Sequence, residues 1–347
     1  MKLLVITQKI DLNDDLLGFF NQWLFKLSQK VDKLYVISLE VGVYQLPKNV
    51  EIFSLGKEMD KNKLLRYLKF YQLILKILPR VDSVFAHMCP EYVVALAPLN
   101  LFFNKQIFLW YVHRQVNWRL RLAEKFVKKI FTVSPASCRL SSKKIKILGH
   151  GIDLEKYHIR ESRFNFNIIY VGRISKIKNQ ELLIKAANIL INQKNVKNIK
   201  ITLVGGPILS TDNQYLDLLK NLIKNYQLEN YVEITGRLPF NRVINYYHKA
   251  DLSINLCPTG GLDKAVLESM AMGLPTIVIN KDFKETLAKY QDLILEDPDE
   301  EKLAERIEQL FNLKSEIRQQ IGQDLRQQVK EKHDLENLIN NLIKEMS

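Results

Sequence analysis

Residues 251–280 read DLSINLCPTGGLDKAVLESMAMGLPTIVIN, and this stretch decides the fold. Positions 252–256 are a short apolar run, which predicts a buried strand. After Gly260 and Gly261 a helix is predicted to open near Asp263. Gly273, Leu274 and Pro275 stop it before a second buried strand over 276–279. Strand, helix and strand make one parallel βαβ unit. The Gly-Gly loop then lies at the carboxyl edge of a parallel sheet, where α/β folds take ligands. It leads into a helix N-terminus whose first amides lack partners and favour an anion. Glu268 stands about one and a half turns into that helix. A carboxylate there can accept hydrogen bonds from two neighbouring hydroxyls, such as a ribose diol, while the amides ahead of it hold phosphate. The combination predicts half of a sugar-nucleotide site.

Working outward, 347 residues exceed what one hydrophobic core supports, so two domains are expected. With 47% hydrophobic and 26% charged residues the chain can bury both cores. There is no apolar run of membrane-spanning length, and MKLLVITQKIDLNDD lacks the apolar core of a signal peptide, so a cytosolic protein is expected. Cys89, Cys138 and Cys257 have no metal-binding spacing and fit reduced thiols. The net charge of +13 points to an anionic partner. Lys61, Lys63, Arg66, Lys69 and Lys76 lie among Leu, Tyr and Phe, and Arg114, Arg119, Arg121, Lys125, Lys128 and Lys129 among Trp118, Leu120, Leu122 and Phe126. Basic amphipathic helices of this kind suit an anionic membrane surface or a phosphate-rich substrate, the alternative being a solvated basic face on core-packing helices. No nucleic-acid-binding module is present.

From the start, strands are expected at 2–7, 33–39, 50–55, 83–87, 105–111, 130–133 and 145–148, with helices between them. Asp11, Asn13 and Asp15 alternate as in a calcium loop, but Leu16 replaces its glycine and Gln22 its bidentate acid, which excludes calcium. Asp15 is expected to cap the following helix, or with Gly18 to face an acceptor. His87 is expected to be structural. His113 follows strand 105–111 directly and so can point into a ligand crevice. The glycines of GHGID, 149–153, mark the domain boundary, with a polar stretch over 155–165 after it. A second set of strands begins at 166–171 and runs into Gly172, Arg173 and Lys178, two cations on one carboxyl-edge loop that can clamp a diphosphate. Gly205 and the turn Gly236-Arg237-Leu238 end the next strands at the same edge. An apolar run at 293–295 precedes Asp297-Pro298-Asp299. This is an Asp-x-Asp pattern better explained as a helix start, with Asp297 capping and Pro298 first in the helix.

The ordered motifs GHGID, YVGRISKIKNQELLIKAA, TLVGGP, VEITGRLP and YYHKADLSINLCPTGGLDKAVLESMAMGLPTIV resemble the retaining GT-B glycosyltransferases of family four, as WYVH and FTVSPAS do more weakly in the first half. The resemblance implies an α/β chain of two Rossmann-like, doubly wound domains facing a cleft. They would span residues 1–152 on the acceptor side and 153–325 on the nucleotide-sugar donor side, with a last helix at 326–347 returning to the first domain. It implies that Arg173 and Lys178 hold the donor diphosphate, that Glu268 binds the ribose as the second acid of the family's E-x7-E motif, and that His113 contacts the donor sugar. Gly172, Gly205, Gly236, Arg237, Leu238, Gly260, Gly261, Leu262, Asp263, Lys264, Ala265 and Val266 would complete the donor site. The chain departs from the motif at its first acid, which falls on Gly260. Asp263 either takes over from it or serves only as the helix cap.

These readings lead to a metal-independent, retaining transferase that needs no cofactor and moves a hexose from a UDP- or GDP-sugar. The acceptor would be a lipid-linked or polysaccharide precursor, met at the inner face of a bacterial cytoplasmic membrane. The alternatives are a GT-B sugar-nucleotide epimerase and an inactive nucleotide-sugar-binding protein, the latter favoured by Gly260.

Overall fold

The computed structural model describes residues 1–157 and 166–347. Most of the polar stretch expected at 155–165 therefore lies outside the described residues. The chain divides into two compact units. One comprises Met1–Asp153, Pro239–Asn241 and Asp334–Ser347, the other Leu154–Leu238 and Arg242–His333.

The first unit is built on seven strands, β1 (Lys2–Ile10), β2 (Lys33–Val41), β3 (Val50–Ser54), β4 (Ser83–His87), β5 (Gln106–Trp110), β6 (Lys129–Thr132) and β7 (Ile145–Ile147), in the order β3-β2-β1-β4-β5-β6-β7. All pairs are parallel. Leu3 to Ile6 of β1 are buried on both faces of the sheet, as a central parallel strand requires. Four helices connect the strands: α1 (Phe20–Ser28), α2 (Lys63–Ile77), α3 (Pro90–Phe103) and α4 (Trp118–Phe126). The core beside α2, α3 and α4 takes Leu4, Ile6, Val84, Ala86, Ile107 and Leu109 from the sheet and Phe70, Ile74, Val93 and Leu120 from the helices.

Two expectations are corrected here. β1 runs on to Ile10 rather than ending at Thr7, because Lys9 pairs with Glu40 across the strands and binds its carboxylate at 2.8 Å. Asp15 does not cap α1. Asp14 takes the turn amides of Leu16 and Leu17 at 2.9 and 2.7 Å, and the helix begins at Phe20 with no side-chain cap.

The second unit has five strands, β8 (Phe166–Val171), β9 (Ile199–Val204), β10 (Val232–Ile234), β11 (Leu252–Asn255) and β12 (Thr276–Val278), in the order β10-β9-β8-β11-β12, again all parallel. Its helices are α5 (Gln180–Asn188), α6 (Ser210–Asn225), α7 (Phe240–Tyr247, whose first two residues count with the first unit), α8 (Lys264–Ala271), α9 (Lys284–Leu287), α10 (Glu300–Asn312) and α11 (Ser315–His333). The run 293–295 is not a strand: only Ile294 bridges to Val278 at the sheet edge. Asp299, not Asp297, caps α10, accepting from the Lys302 N–H at 2.8 Å, while Asp297 pairs with the Lys302 ammonium. Pro298 thus precedes the cap. The last helix, α12 (Leu335–Met346), belongs to the first unit, where it packs on α1 and Glu345 pairs with Lys129 and Lys146.

Candidate donor site in the second unit

The carboxyl edge of the second sheet is held together by backbone. The Gly172 N–H donates to Val204 O at 3.0 Å, the Ile174 N–H to Gly206 O at 3.0 Å, and Gly205 bridges antiparallel to Gly236. The loops after β8, β9 and β10 are therefore one knitted rim. Gly205 is dictated by this contact: a Cβ there would stand 2.0 Å from the Gly172 carbonyl oxygen.

Between β8 and β11 the rim is tied by side chains. The Tyr170 hydroxyl accepts from the Leu256 N–H at 3.1 Å and donates to the Lys178 carbonyl. The Lys178 ammonium reaches across to Asp263 Oδ2 in a salt bridge. Asp263 caps α8, accepting from the Ala265 N–H at 3.2 Å through Oδ1, and takes Asn255 Nδ2 at 3.0 Å on Oδ2. Burial works against both charges, yet their attraction and these hydrogen bonds hold the Asp263 carboxyl below its ordinary value and the Lys178 ammonium above its own. Both stay ionised. The α8 tip, expected from the sequence to be free for an anion, thus already faces a carboxylate. Of the two readings left open for Asp263, the cap is realised, and an ion pair with Lys178 is added to it.

Glu268 is buried, at 5% exposure, on the next turn of α8. The Tyr247 hydroxyl, itself fully enclosed, lies 3.3 Å from Oε2 and 3.1 Å from the Ala265 carbonyl. Burial dominates and pushes the Glu268 carboxyl up to about 7, although Lys264, Tyr247 and Tyr157 favour its ionised form. It can therefore exist in either protonation state near neutral pH.

Lys178, Asp263 and the α8 residues Lys264, Ala265 and Val266 come together directly. Arg173 is exposed on the β8 loop, and its guanidinium forms no ion pair among the described residues, which leaves it available to an anion. Gly260 and Gly236 border open space, with nothing within 4 Å of where a Cβ would stand. Gly260 has φ 118°, so an acid at this position would be strained, and the departure from E-x7-E is built into the backbone. Gly261 is held through its carbonyl by Asn280 Nδ2 at 3.1 Å, Leu262 is buried, and Arg237 and Leu238 follow the Gly236 turn.

Tyr170, Asn255, Tyr247 and Asn280 are site-building residues that sequence reasoning did not single out. Asn255 and Asn280, each ending or following a buried apolar strand, are the polar signal that could have found them.

The remaining candidates lie in the first unit. His113 is exposed on the loop after β5, and its Nδ1 accepts from the Gln115 N–H at 3.1 Å. A neutral ring in that tautomer carries its proton on Nε2, as a donor. Gly18 is tightly packed, its Cβ position 2.5 Å from Asp14 O and 3.2 Å from Phe240 Cβ. Asp11 and Asp14 face Lys9 at 3.9 and 2.9 Å, and no group of three metal-ligating side chains occurs among the described residues. His87 is buried, stacked on Phe20 at 3.9 Å with Thr7 Oγ1 at 3.3 Å from Nδ1, as expected of a structural histidine.

The profile describing glycosyl transferases group 1 matches residues 158–328. The chain is 27% identical over 254 residues to the capsular polysaccharide biosynthesis glycosyltransferase CapM of Staphylococcus aureus, covering 65% of this chain and 62% of CapM. It is 29% identical over 115 residues, 32% of this chain, to the human GDP-Man:Man(3)GlcNAc(2)-PP-Dol alpha-1,2-mannosyltransferase, of which 23% is covered. The matched regions thus span less than two thirds of either relative. Among solved structures, Anabaena HepE in complex with UDP and glucose aligns with a TM-score of 0.76 at 17% identity, over 100% of this chain and 99% of HepE. Sucrose-phosphate synthase from Thermosynechococcus elongatus aligns with a TM-score of 0.76 at 13% identity, over 99% and 98%. These likenesses establish the fold as GT-B.

Proposed function

We propose, from the match of residues 158–328 to the glycosyl transferases group 1, that the chain is a retaining hexosyltransferase that takes its sugar from a UDP- or GDP-sugar without a metal ion. The observation that carries this reading is the juxtaposition, at one parallel-sheet edge, of the unpaired Arg173 guanidinium, the Lys178–Asp263 pair at the α8 tip, and the buried Glu268. The nucleotide seen with HepE supports the same donor class, and the capsular role of CapM supports a surface-polysaccharide precursor as acceptor. In this reading the precursor is lipid-linked and met at the inner face of a membrane.

Transfer breaks the bond between the sugar's anomeric carbon and the phosphate oxygen, and negative charge develops on the leaving diphosphate. Arg173 and Lys178 are placed to meet that charge, and preorganised donors of this kind each contribute a few kcal/mol to the transition state. As the diphosphate arrives, Lys178 exchanges part of its contact with Asp263 for phosphate oxygen. Glu268, ionised, accepts hydrogen bonds from the ribose hydroxyls. The acceptor oxygen attacks on the face the diphosphate leaves, and its proton passes to the departing phosphate, which retains the anomeric configuration. Asp297 and Asp299, paired with Lys302 and spent as a cap, support a reaction without a metal at that acidic pair.

Thermal unfolding in the presence of UDP-, GDP- and ADP-sugars, with and without EDTA, tests this. A UDP- or GDP-sugar should raise the transition temperature regardless of EDTA and release its sugar to an added lipid-linked acceptor. Stabilisation that disappears with EDTA would refute metal independence, and no response to any sugar nucleotide would refute the reading as a whole.

A further inference from the structure

Helix α2 carries two apolar stripes where a soluble surface helix needs one. Phe70, Leu73, Ile74 and Ile77 fill the core of the first unit. On the opposite side Leu64, Leu68, Tyr71 and Leu75 recur at helical spacing with exposures of 69, 59, 37 and 53%. Residues 61–80 also hold Lys61, Lys63, Arg66, Lys69, Lys76 and Arg80 and not one Asp or Glu. None of these six cations forms an ion pair among the described residues.

At the N-terminal ends of α2, α3 and α4 lies a groove of about 630 Å³, lined by Lys63, Arg66, Tyr67, Tyr92, Trp118 and Arg119. Its one carboxylate is Glu91. The Trp118 ring is 66% exposed, with the Arg119 guanidinium 5.5 Å from its centre.

We propose that this face of the first unit docks the protein on a bilayer containing anionic lipid. The outer stripe of α2 would enter the headgroup–acyl boundary, and the groove would receive a headgroup phosphate. An amphipathic helix lying in a membrane interface needs an apolar face, flanking Lys and Arg, and aromatic side chains at the polar boundary, and α2 with Trp118 supplies all three. Charge decides between occupants. In a symmetric dimer built on this face the six cations would meet their own copies with only the groove's Glu91 to offset them, and such like-charge contacts are costly. An anionic bilayer matches the same charges. The proposal deepens the lipid-linked reading of the acceptor, on which it rests.

The test is co-sedimentation of the full chain with phosphatidylcholine vesicles, with and without phosphatidylglycerol. Binding is expected only to the anionic vesicles and should weaken as salt shortens the screening length. Lys63→Gln and Lys76→Gln should each lower partitioning about fivefold. Leu64→Ser with Leu68→Ser should lower it further, and these exposed changes leave the core intact. Equal binding to neutral vesicles, no binding to anionic ones, or partitioning unmoved by all these substitutions would overturn the proposal. So would a dimer in light scattering that the Leu→Ser pair dissociates. Nucleotide-induced thermal stabilisation, measured on the same variants, depends on the second unit. Membrane docking and donor binding can therefore fail separately.

Discussion

Glu268 sets two requirements against each other at a single side chain. Burial raises its carboxyl to about 7, so the folded protein holds this proton more tightly than the unfolded chain does. Its contribution to stability is then full below the unfolded value and is lost as the pH rises towards about 7. Ribose binding asks for the opposite state, the ionised acceptor. Glu268→Gln should remove the pH-dependent loss and make the protein more stable than wild type above neutrality, by up to roughly 3 kcal/mol. Unfolding scans from acid to mildly alkaline pH would check this. In the wild type, titration calorimetry should find nucleotide affinity rising as the pH passes through about 7, and in the Gln variant affinity should be lower and pH-independent. Arg173→Ala and Lys178→Ala should differ. Arg173 is exposed and unpaired, so its loss should lower kcat about a hundredfold with stability unchanged. Loss of Lys178 also leaves Asp263 without its cation, so the Lys178→Ala variant should lose about 3 kcal/mol of stability as well as activity. Parallel kinetics and denaturant unfolding separate the two.

At the scale of elements, the site depends on how helices and strands meet at a few points of close backbone contact. Gly205 permits the β9 loop to touch the β8 loop, and Gly205→Ala should separate them, costing about 1–3 kcal/mol and a larger loss of donor affinity than of fold. Nucleotide titration beside a denaturant curve would show that ratio. The far end of α8 is fixed in the same way. Gly322 of α11 lies where a Cβ would be 1.8 Å from the Gly273 carbonyl, and the half-buried Arg326 guanidinium binds the carbonyls of Ala271 and Tyr157. Gly322→Ala should therefore lower stability although it lies in a helix, where alanine is ordinarily the better residue. A lowered unfolding temperature is the expected result. α3 has no amphipathic pattern: it is apolar on all sides and contains Pro98, and it becomes helical because it lies against the sheet and α4.

The whole molecule comprises two parallel sheets in separate units, with the last helix assigned to the first. Leu335, Leu338, Ile339, Leu342 and Met346 of α12 are buried there, and Ile152 bridges to Asp334. Ending the chain at residue 333 would expose the α1 side of the first unit and remove several buried side chains worth about 1.5–3 kcal/mol each. The truncated protein should unfold its first unit at a lower temperature while a nucleotide still protects the second. Calorimetry with and without UDP would resolve the two transitions.

The sequence by itself determined the parallel βαβ units, the division near residue 153, the positions of Arg173, Lys178 and Glu268 at one sheet edge, and the start of α8 at Asp263. These follow from apolar runs, glycine stops and capping residues that act over a few neighbours. It also exposed the change at Gly260 as a departure from the family's motif. Only the tertiary structure decided which partners those side chains take. Lys178 and Asp263 are far apart in the chain and meet because β8 and β11 are neighbours in the sheet. Tyr247 and Tyr157 reach Glu268 by the same kind of long-range packing. Asp14 rather than Asp15 takes the turn amides ahead of α1, and Asp299 rather than Asp297 caps α10, through turn geometry that composition does not distinguish. Local pattern fixes where a charge sits along the chain, whereas its partner, burial and protonation depend on residues that only folding brings within reach.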